Sequence, residues 1–192
     1  MPRRRSHAMP TPPVRLVPRE GGGLALTVDG VTQSVAGPAQ GYWAQMIPDQ
    51  APARALLLGL GGGTIAQLLA VRWPAVSITG IERDERIIAV ARERLGLDAL
   101  PRLTIIHADV FPWVAKRSGE SPETYDYIAH DLYVGARMVP GALGTPFLRQ
   151  VAMLLSPGGR LAMNLLRTQR LDAQITRLRR VFEVTARQDV EG

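Results

Sequence analysis

Between Arg54 and Arg72 the chain reads ALLLGLGGGTIAQLLAV, with no charge in it and glycine at positions 59, 61, 62 and 63. A membrane-spanning helix needs roughly 20 apolar residues and no such cluster of helix breakers, so the run divides into three pieces. A short apolar strand enters a glycine turn, and a helix leaves it. Glycine lets a backbone turn sharply and lets a ligand approach closely, with the first N–H groups of the helix facing it. The plainer alternative is a tight connection without a ligand.

The residues downstream keep the same alternation. Leu56–Leu58, Ser77–Ile81, Leu103–His107, Tyr127–His130 and Arg160–Leu165 are expected strands. Helices are expected near Gly63–Arg72, Asp84–Leu95, Phe111–Arg117, Thr145–Leu155 and Leu171–Arg180. In the second helix Ile87, Ile88, Ala91 and Leu95 share a face while Glu85, Arg86, Arg92, Glu93 and Arg94 cover the rest. Nearly continuous apolar strands are buried on both sides, and their alternation with helices implies a doubly wound, mostly parallel sheet. Upstream, LALTV and VTQSV flank Asp29-Gly30, a pair suited to a type I′ turn, so residues 21–50 are expected to form a small hairpin extension and linker. VRLV is an optional third strand and Tyr42–Ile47 a short helix. At the other end FEVTAR is read as a sixth strand, after which the chain stops short of the further strand such sheets usually have.

The charge is misleading. A net +6 invites a nucleic-acid reading, yet five arginines fall in the first nineteen residues, and the rest carries only +1. Residues 1–20 are read as a disordered basic leader, with no apolar segment behind the arginines to make a secretory signal. The domain proper is expected over 51–192, with nucleic acid an unfavoured partner and no membrane span. No cysteine is present, which removes disulfides, thiolate metal sites and cysteine nucleophiles and fits a cytoplasmic protein. The three histidines show no metal-ligand spacing.

Spacing gives the glycine loop its chemistry. Glu82 ends the next strand nineteen residues beyond Gly63, where a carboxylate can accept from both hydroxyls of a ribose. Asp109 follows the third strand and can accept from an adenine amino group. Either acid alone fits a solvated strand end; together with the loop they point to a nucleoside cofactor. The dinucleotide fingerprint requires glycine at the sixth position counted from Gly59, and that residue is Thr64. The pattern matches S-adenosylmethionine-type cofactors, which carry no pyrophosphate.

LLLGLGGGTIAQLL, ITGIERDERIIAVARERLGL, LTIIHADVFPWV, YDYIAHDLY and LLSPGGRLAMNL resemble successive motifs of the spermidine synthase (polyamine aminopropyltransferase) family. LTVDGVTQS followed by GYWAQM resembles its N-terminal hairpin, so the likeness runs from Leu24 to Leu165. The resemblance implies a Rossmann-like α/β fold of the class I methyltransferase type. It also implies that Gly59, Gly61, Gly62, Gly63, Glu82, Asp109 and Gln33 bind the cofactor, that Tyr42 faces the substrate, and that Asp131 is the catalytic aspartate. Two departures stand out. The family's GGGDGG loop has an Asp where this chain has Gly62, and its DSSDP loop is here Asp131-Leu132-Tyr133-Val134-Gly135, keeping only the first acid. A cationic decarboxylated donor and a diamine acceptor favour carboxylates, so their loss favours S-adenosylmethionine itself.

The expected function is therefore methyl transfer to a small-molecule acceptor, with aminopropyl transfer or a catalytically silent cofactor-binding scaffold as alternatives. Either transfer is a displacement at a carbon on a sulfonium, for which the enzyme aligns the partners, excludes water and takes a proton. Asp131 is the candidate for that proton. Tyr133 stands beside it as a second catalytic candidate or a lid-packing aromatic, and His130 as a substrate contact or a buried strand residue. His107 is read as structural. Tyr133–Gly144 is expected to cover the substrate, Arg137 either attracting an anionic acceptor or standing in solvent. The arginines of Leu171–Arg180 fit an ordinary surface helix. Tyr42 and Trp43 offer an apolar contact for a homodimer.

Overall fold

The computed structural model describes residues 12–20, 22–36, 41–120 and 123–189. Strands β1 (Val14–Pro18), β2 (Leu24–Val28) and β3 (Val31–Val35) form an antiparallel sheet in that order. Asp29 and Gly30 both have positive φ, 53° and 76°, as the expected turn requires. The optional first strand is real, so Val14–Pro18 is paired chain within what was expected to be a disordered leader of residues 1–20; residues 1–11 lie outside the described residues.

A short helix α1 (Tyr42–Gln45) precedes the main unit. There β4 (Arg54–Leu58), α2 (Thr64–Arg72), β5 (Ser77–Glu82), α3 (Glu85–Leu95), β6 (Leu103–His107), α4 (Val110–Gly119) and β7 (Tyr125–His130) alternate. A two-stranded hairpin, β8 (Tyr133–Val134) with β9 (Arg137–Met138), comes before α5 (Thr145–Met153), β10 (Leu155–Met163) and α6 (Leu171–Leu178). The central sheet is parallel throughout, in the order β10-β7-β4-β5-β6. This is the α/β Rossmann-like arrangement expected from the alternation. The strand order reverses between β4 and β7, and a parallel sheet opens a crevice at the carboxyl ends of such a pair.

Both faces of the sheet are dry. Leu57, Ala66, Leu69, Ile87, Ala91 and Leu95 fill one side, and Leu56, Leu58, Val114, Ile128, Phe147 and Val151 the other. The apolar face assigned to α3 is the face it buries. Asp84 caps that helix by accepting from the Arg86 N–H, and Gly96 ends it in the left-handed region.

The last strand differs from expectation. β10 begins at Leu155 instead of Arg160, and its register shifts between those residues, around a proline that has no N–H to give the ladder. It stops at Met163, which leaves Asn164 and Leu165 beyond the sheet. FEVTAR forms no strand. Val181 and Phe182 instead fold back from α6 onto the cluster of Leu143, Leu148 and Leu178, which leaves Val184 exposed. Within the described residues β10 is therefore an edge strand.

Gly59 marks the closest approach at the reversal. Its φ is +88°, and a Cβ there would lie 2.4 Å from the Asp131 carbonyl oxygen. Gly96 shares the left-handed backbone (φ +79°) with open space around it. Gly59→Ala should then cost on the order of 2–4 kcal/mol, against about 1 kcal/mol for Gly96→Ala, by denaturant melts. Equal losses would mean that the loop can move away from Asp131 without penalty.

Candidate active site

The carboxyl ends of β4, β5, β6 and β7 converge on a cleft of about 540 Å³, roofed by the β2–β3 hairpin. The register explains the convergence: Leu58 lies opposite both Ile81 and His130, and Glu82 opposite His107, so the loops that follow leave the sheet at one level.

The glycine loop is held by its own amides. Leu60 N–H donates to the Ile81 carbonyl (2.9 Å), Gly61 N–H to Glu82 Oε2 (3.0 Å), Gly62 N–H to Ser34 Oγ (2.7 Å) and Gly63 N–H to the Leu60 carbonyl (3.0 Å). Gly59 and Gly61 line the cleft. Gly62 and Gly63 do not, contrary to expectation. A Cβ on Gly62 would come within 2.7 Å of Ser34 and Leu95, and one on Gly63 within 2.1 Å of Leu97. Both are packing glycines that let the hairpin and α3 close behind the loop. The absence of an acid at Gly62 is thus coupled to what fills the space.

Glu82 is oriented before any ligand arrives. Its Oε1 accepts from the N–H groups of Arg83 and Asp84 (2.9 Å each), and Oε2 accepts from Gly61. A carboxylate oxygen offers two lone pairs, so Oε2 keeps one for a hydroxyl. Asp109 caps α4, with Oδ1 accepting from Phe111 N–H (2.9 Å), and its exposed carboxylate lines the cleft with Oδ2 still able to accept. Arg86 is engaged by Asp84 (Nε to Oδ1, 2.9 Å), and that guanidinium holds the Asp84 carboxyl below the usual carboxylate range.

At the β4–β7 end stands Asp131, just past the last residue of β7. Its Oδ2 accepts from the Tyr42 hydroxyl (3.2 Å) and its Oδ1 from the Asn164 side-chain amide (3.0 Å). Burial raises its pKa, and these two donors oppose the rise. Tyr42 is raised by its own burial and then by the Asp131 charge, so it remains a donor. The Tyr133 hydroxyl is occupied: it donates to the Asn164 carbonyl (3.2 Å) and accepts from Leu166 N–H (3.2 Å). Gln33 donates its side-chain amide to the Gly135 carbonyl (3.2 Å), joining the roof to the β8–β9 hairpin.

His130 is not a substrate contact in this structure. It has no exposed surface, bonds the Ala142 carbonyl through Nε2 (3.0 Å) and sets its ring edgewise to Phe147, 6.1 Å between centroids. Consecutive strand residues face opposite ways, so with Asp131 toward the cleft its predecessor points into the α4–α5 layer. His107 lines the cleft at its exposed rim, its ring nitrogen 3.1 Å from the Arg83 carbonyl.

Three functional side chains escaped the sequence reading. Ser34 and Thr64 are buried polar residues in otherwise apolar surroundings, and Thr64 Oγ1 both accepts from Val35 N–H (2.8 Å) and donates to the Val35 carbonyl (3.1 Å). Nothing in the sequence pairs them. Asn164 carried a signal, since it is the only asparagine in the chain and follows the last core strand. Among the described residues no three His, Asp or Glu side chains gather as metal ligands, and no helix is long and apolar enough to cross a membrane.

No family model matches the chain. A trans-aconitate 2-methyltransferase of Paracidovorax citrulli is 31% identical over 119 residues, covering 62% of this chain and 41% of the relative. A polyamine aminopropyltransferase of Vibrio vulnificus is 30% identical over 132 residues, 68% of this chain and 44% of the relative. The chain thus spans less than half the length of these curated relatives. Among solved structures, human methyltransferase-like protein 13 in complex with SAH superposes with a TM-score of 0.67 at 26% identity, over 73% of this chain and 68% of that one. A probable spermidine synthase from Corynebacterium glutamicum superposes with a TM-score of 0.74 at 20% identity, over 90% and 68%, which is a likeness of fold.

Burial pushes the His130 pKa down to about 4 from an ordinary 6.5. Its neutral form therefore stabilises the fold fully above pH 6.5, and that contribution is lost as pH falls toward 4. Denaturant melts between pH 7.5 and 4.5 should show a decline in stability that is shallower in His130→Phe, although that variant starts lower for want of the Ala142 bond. Parallel declines would mean that other groups drive the acid sensitivity.

Proposed function

Starting from a chain with the class I methyltransferase fold and with sequence relatives among both methyltransferases and polyamine aminopropyltransferases, we propose that it transfers a group from an S-adenosylmethionine-type cofactor, and that the group is methyl. Glu82 and Asp109 supply acceptors for ribose hydroxyls and an adenine amine, Gly59 and Gly61 give the close approach, and Gln33 steadies the roof. The donor set fits such a nucleoside, because three backbone N–H groups pre-orient Glu82 while leaving Oε2 able to accept. When bound, the cofactor supplies an electrophilic carbon and its own leaving group.

One observation carries the preference for methyl. The cleft is lined by Glu82, Asp84, Glu85, Asp109 and Asp131, but Asp131 alone of these comes from the loops after β4 and β7, and Gly62, where the resembled family has an acid, is closed in by Ser34 and Leu95. A decarboxylated donor and a diamine bring several positive charges, for which one acid is a sparse counterpart. In this reading Asp131 accepts the acceptor's proton, its buried position having made it a stronger base than an ordinary aspartate. Tyr42 and Tyr133 position it, Tyr42 directly and Tyr133 through Asn164. The Tyr42–Asp131 bond also suits an ammonium acceptor, so aminopropyl transfer is the second reading.

Calorimetry and product analysis separate the two. S-adenosylmethionine should bind more tightly than its decarboxylated form and yield S-adenosylhomocysteine. Preference for the decarboxylated donor, with methylthioadenosine released, would install the second reading, and no adenosyl binding would leave a scaffold. Glu82→Ala should weaken binding about tenfold or more through the lost ribose contacts; unchanged affinity would take Glu82 out of the site.

Asp131→Asn should lower turnover roughly a hundredfold or more. Its stability should move the other way. A carboxyl whose pKa is raised by folding favours the native state at low pH and loses that advantage as pH rises through the folded value, so the amide should leave the melting temperature at pH 7.5 unchanged or higher. Wild-type activity should rise with pH through a midpoint above the usual carboxylate range. Loss of stability and activity together would assign Asp131 to the fold instead.

A further inference from the structure

The register of β10 against β7 pairs Met163 with His130, so Asn164 and Asp131 leave the sheet side by side. Three hydrogen bonds then fix Asn164. Its N–H donates to the His130 carbonyl (3.1 Å), its carbonyl accepts from the Tyr133 hydroxyl (3.2 Å), and its side-chain amide donates to Asp131 Oδ1 (3.0 Å). The first two use only main-chain atoms of residue 164 and would hold any residue there. The third alone requires this side chain.

The chemistry of that third bond is one-sided. An amide NH2 donates and cannot accept, so it favours the ionised carboxylate and disfavours a proton on the same oxygen. The Tyr42 hydroxyl donates to the other oxygen, but a hydroxyl can also accept, so it does not discriminate against the protonated form as the amide does. Each oxygen of Asp131 is thus left one lone pair for an incoming proton. Without Asn164 the carboxylate would be buried with a single donor, free to rotate and easier to protonate.

Resting on the assignment of Asp131 as proton acceptor, the geometry points to Asn164 as the positioning residue of the transfer. It fixes the Asp131 carboxylate in one rotamer and keeps it ionised in a setting that opposes ionisation. Tyr133 braces it at the main-chain carbonyl, and the Leu166 N–H in turn holds the Tyr133 hydroxyl.

The test follows the Asp131 carboxyl by NMR on the aspartate-labelled 192-residue chain, titrated without cofactor. In Asn164→Ala the midpoint should rise by about one pH unit, the loss expected for one hydrogen bond to the charged form. In Asn164→Asp the two acids should titrate in coupled steps, the upper one higher still. Asn164→Gln, which retains the donor, should recover part of the shift. The backbone bonds of residue 164 persist in all three, so melts taken below the Asp131 midpoint should stay close to wild type, whereas at pH 7.5 Asn164→Ala, and still more Asn164→Asp, should melt lower, as the raised midpoint requires. A midpoint unmoved in both Asn164→Ala and Asn164→Asp overturns the inference, and so does a shift that Asn164→Gln does not reduce at all. Calorimetry with S-adenosylhomocysteine on the same proteins reads the cofactor assignment separately. A shifted midpoint with no nucleoside binding would uphold the Asn164–Asp131 coupling and remove only its catalytic context.

Discussion

Two buried hydroxyls hold the cleft together. Ser34 Oγ accepts from Gly62 N–H, and Thr64 Oγ1 bonds both the N–H and the carbonyl of Val35, so the edge of the N-terminal sheet is stitched to the glycine loop across a dry contact. Buried polar groups are expensive unless paired, and pairing these with each other's backbones makes one relative position of sheet and loop strongly preferred. Everything above the loop inherits that position: Gln33 reaching Gly135, Val28 and Trp43 lining the cleft. The hairpin is therefore part of the site, and its attachment is specified as sharply as a strand register.

Much of this was legible from the residues. The uncharged run around Gly59, the apolar face of α3 and the Asp29-Gly30 turn each report a local physical requirement, and local requirements survive into the fold. The positions of Glu82 and Asp109 followed because strand ends in a parallel sheet line up. What escaped depended on contacts between distant segments. Nothing in SVAGP or GGGTI shows that Ser34 meets Gly62 or that Thr64 meets Val35. The burial of Gly62 and Gly63 depends on those contacts and on Leu95 and Leu97, so glycines that share one loop divide between the cleft and the core.

The substrate-contact reading of His130 and the strand reading of FEVTAR failed for different reasons. His130 and Asp131 are adjacent, and the twofold period of a strand cannot turn both toward the cleft; a parity argument was available and would have favoured the buried alternative. FEVTAR has the composition of a strand but is placed directly after α6, where Val181 and Phe182 gain more by covering Leu148 and Leu178 than by pairing at an edge. Composition decides what a segment can form, and the nearest open apolar surface decides what it does form.

Tyr42 and Asp131 are 89 residues apart, and Gln33 and Gly135 are 102 apart. Each such contact closes a long loop, whose entropy is lost before the contact returns anything, so these pairs form only as the whole topology does. The five parallel strands carry their ladder without residues 14–45, yet Asp131 would then lack one of its two donors and the glycine loop its Ser34 anchor. The cleft is consequently a property of the finished molecule with no smaller unit behind it. A ligand bound there reports on the folding of both sheets at once, and its affinity is a measure of their docking as much as of its own contacts.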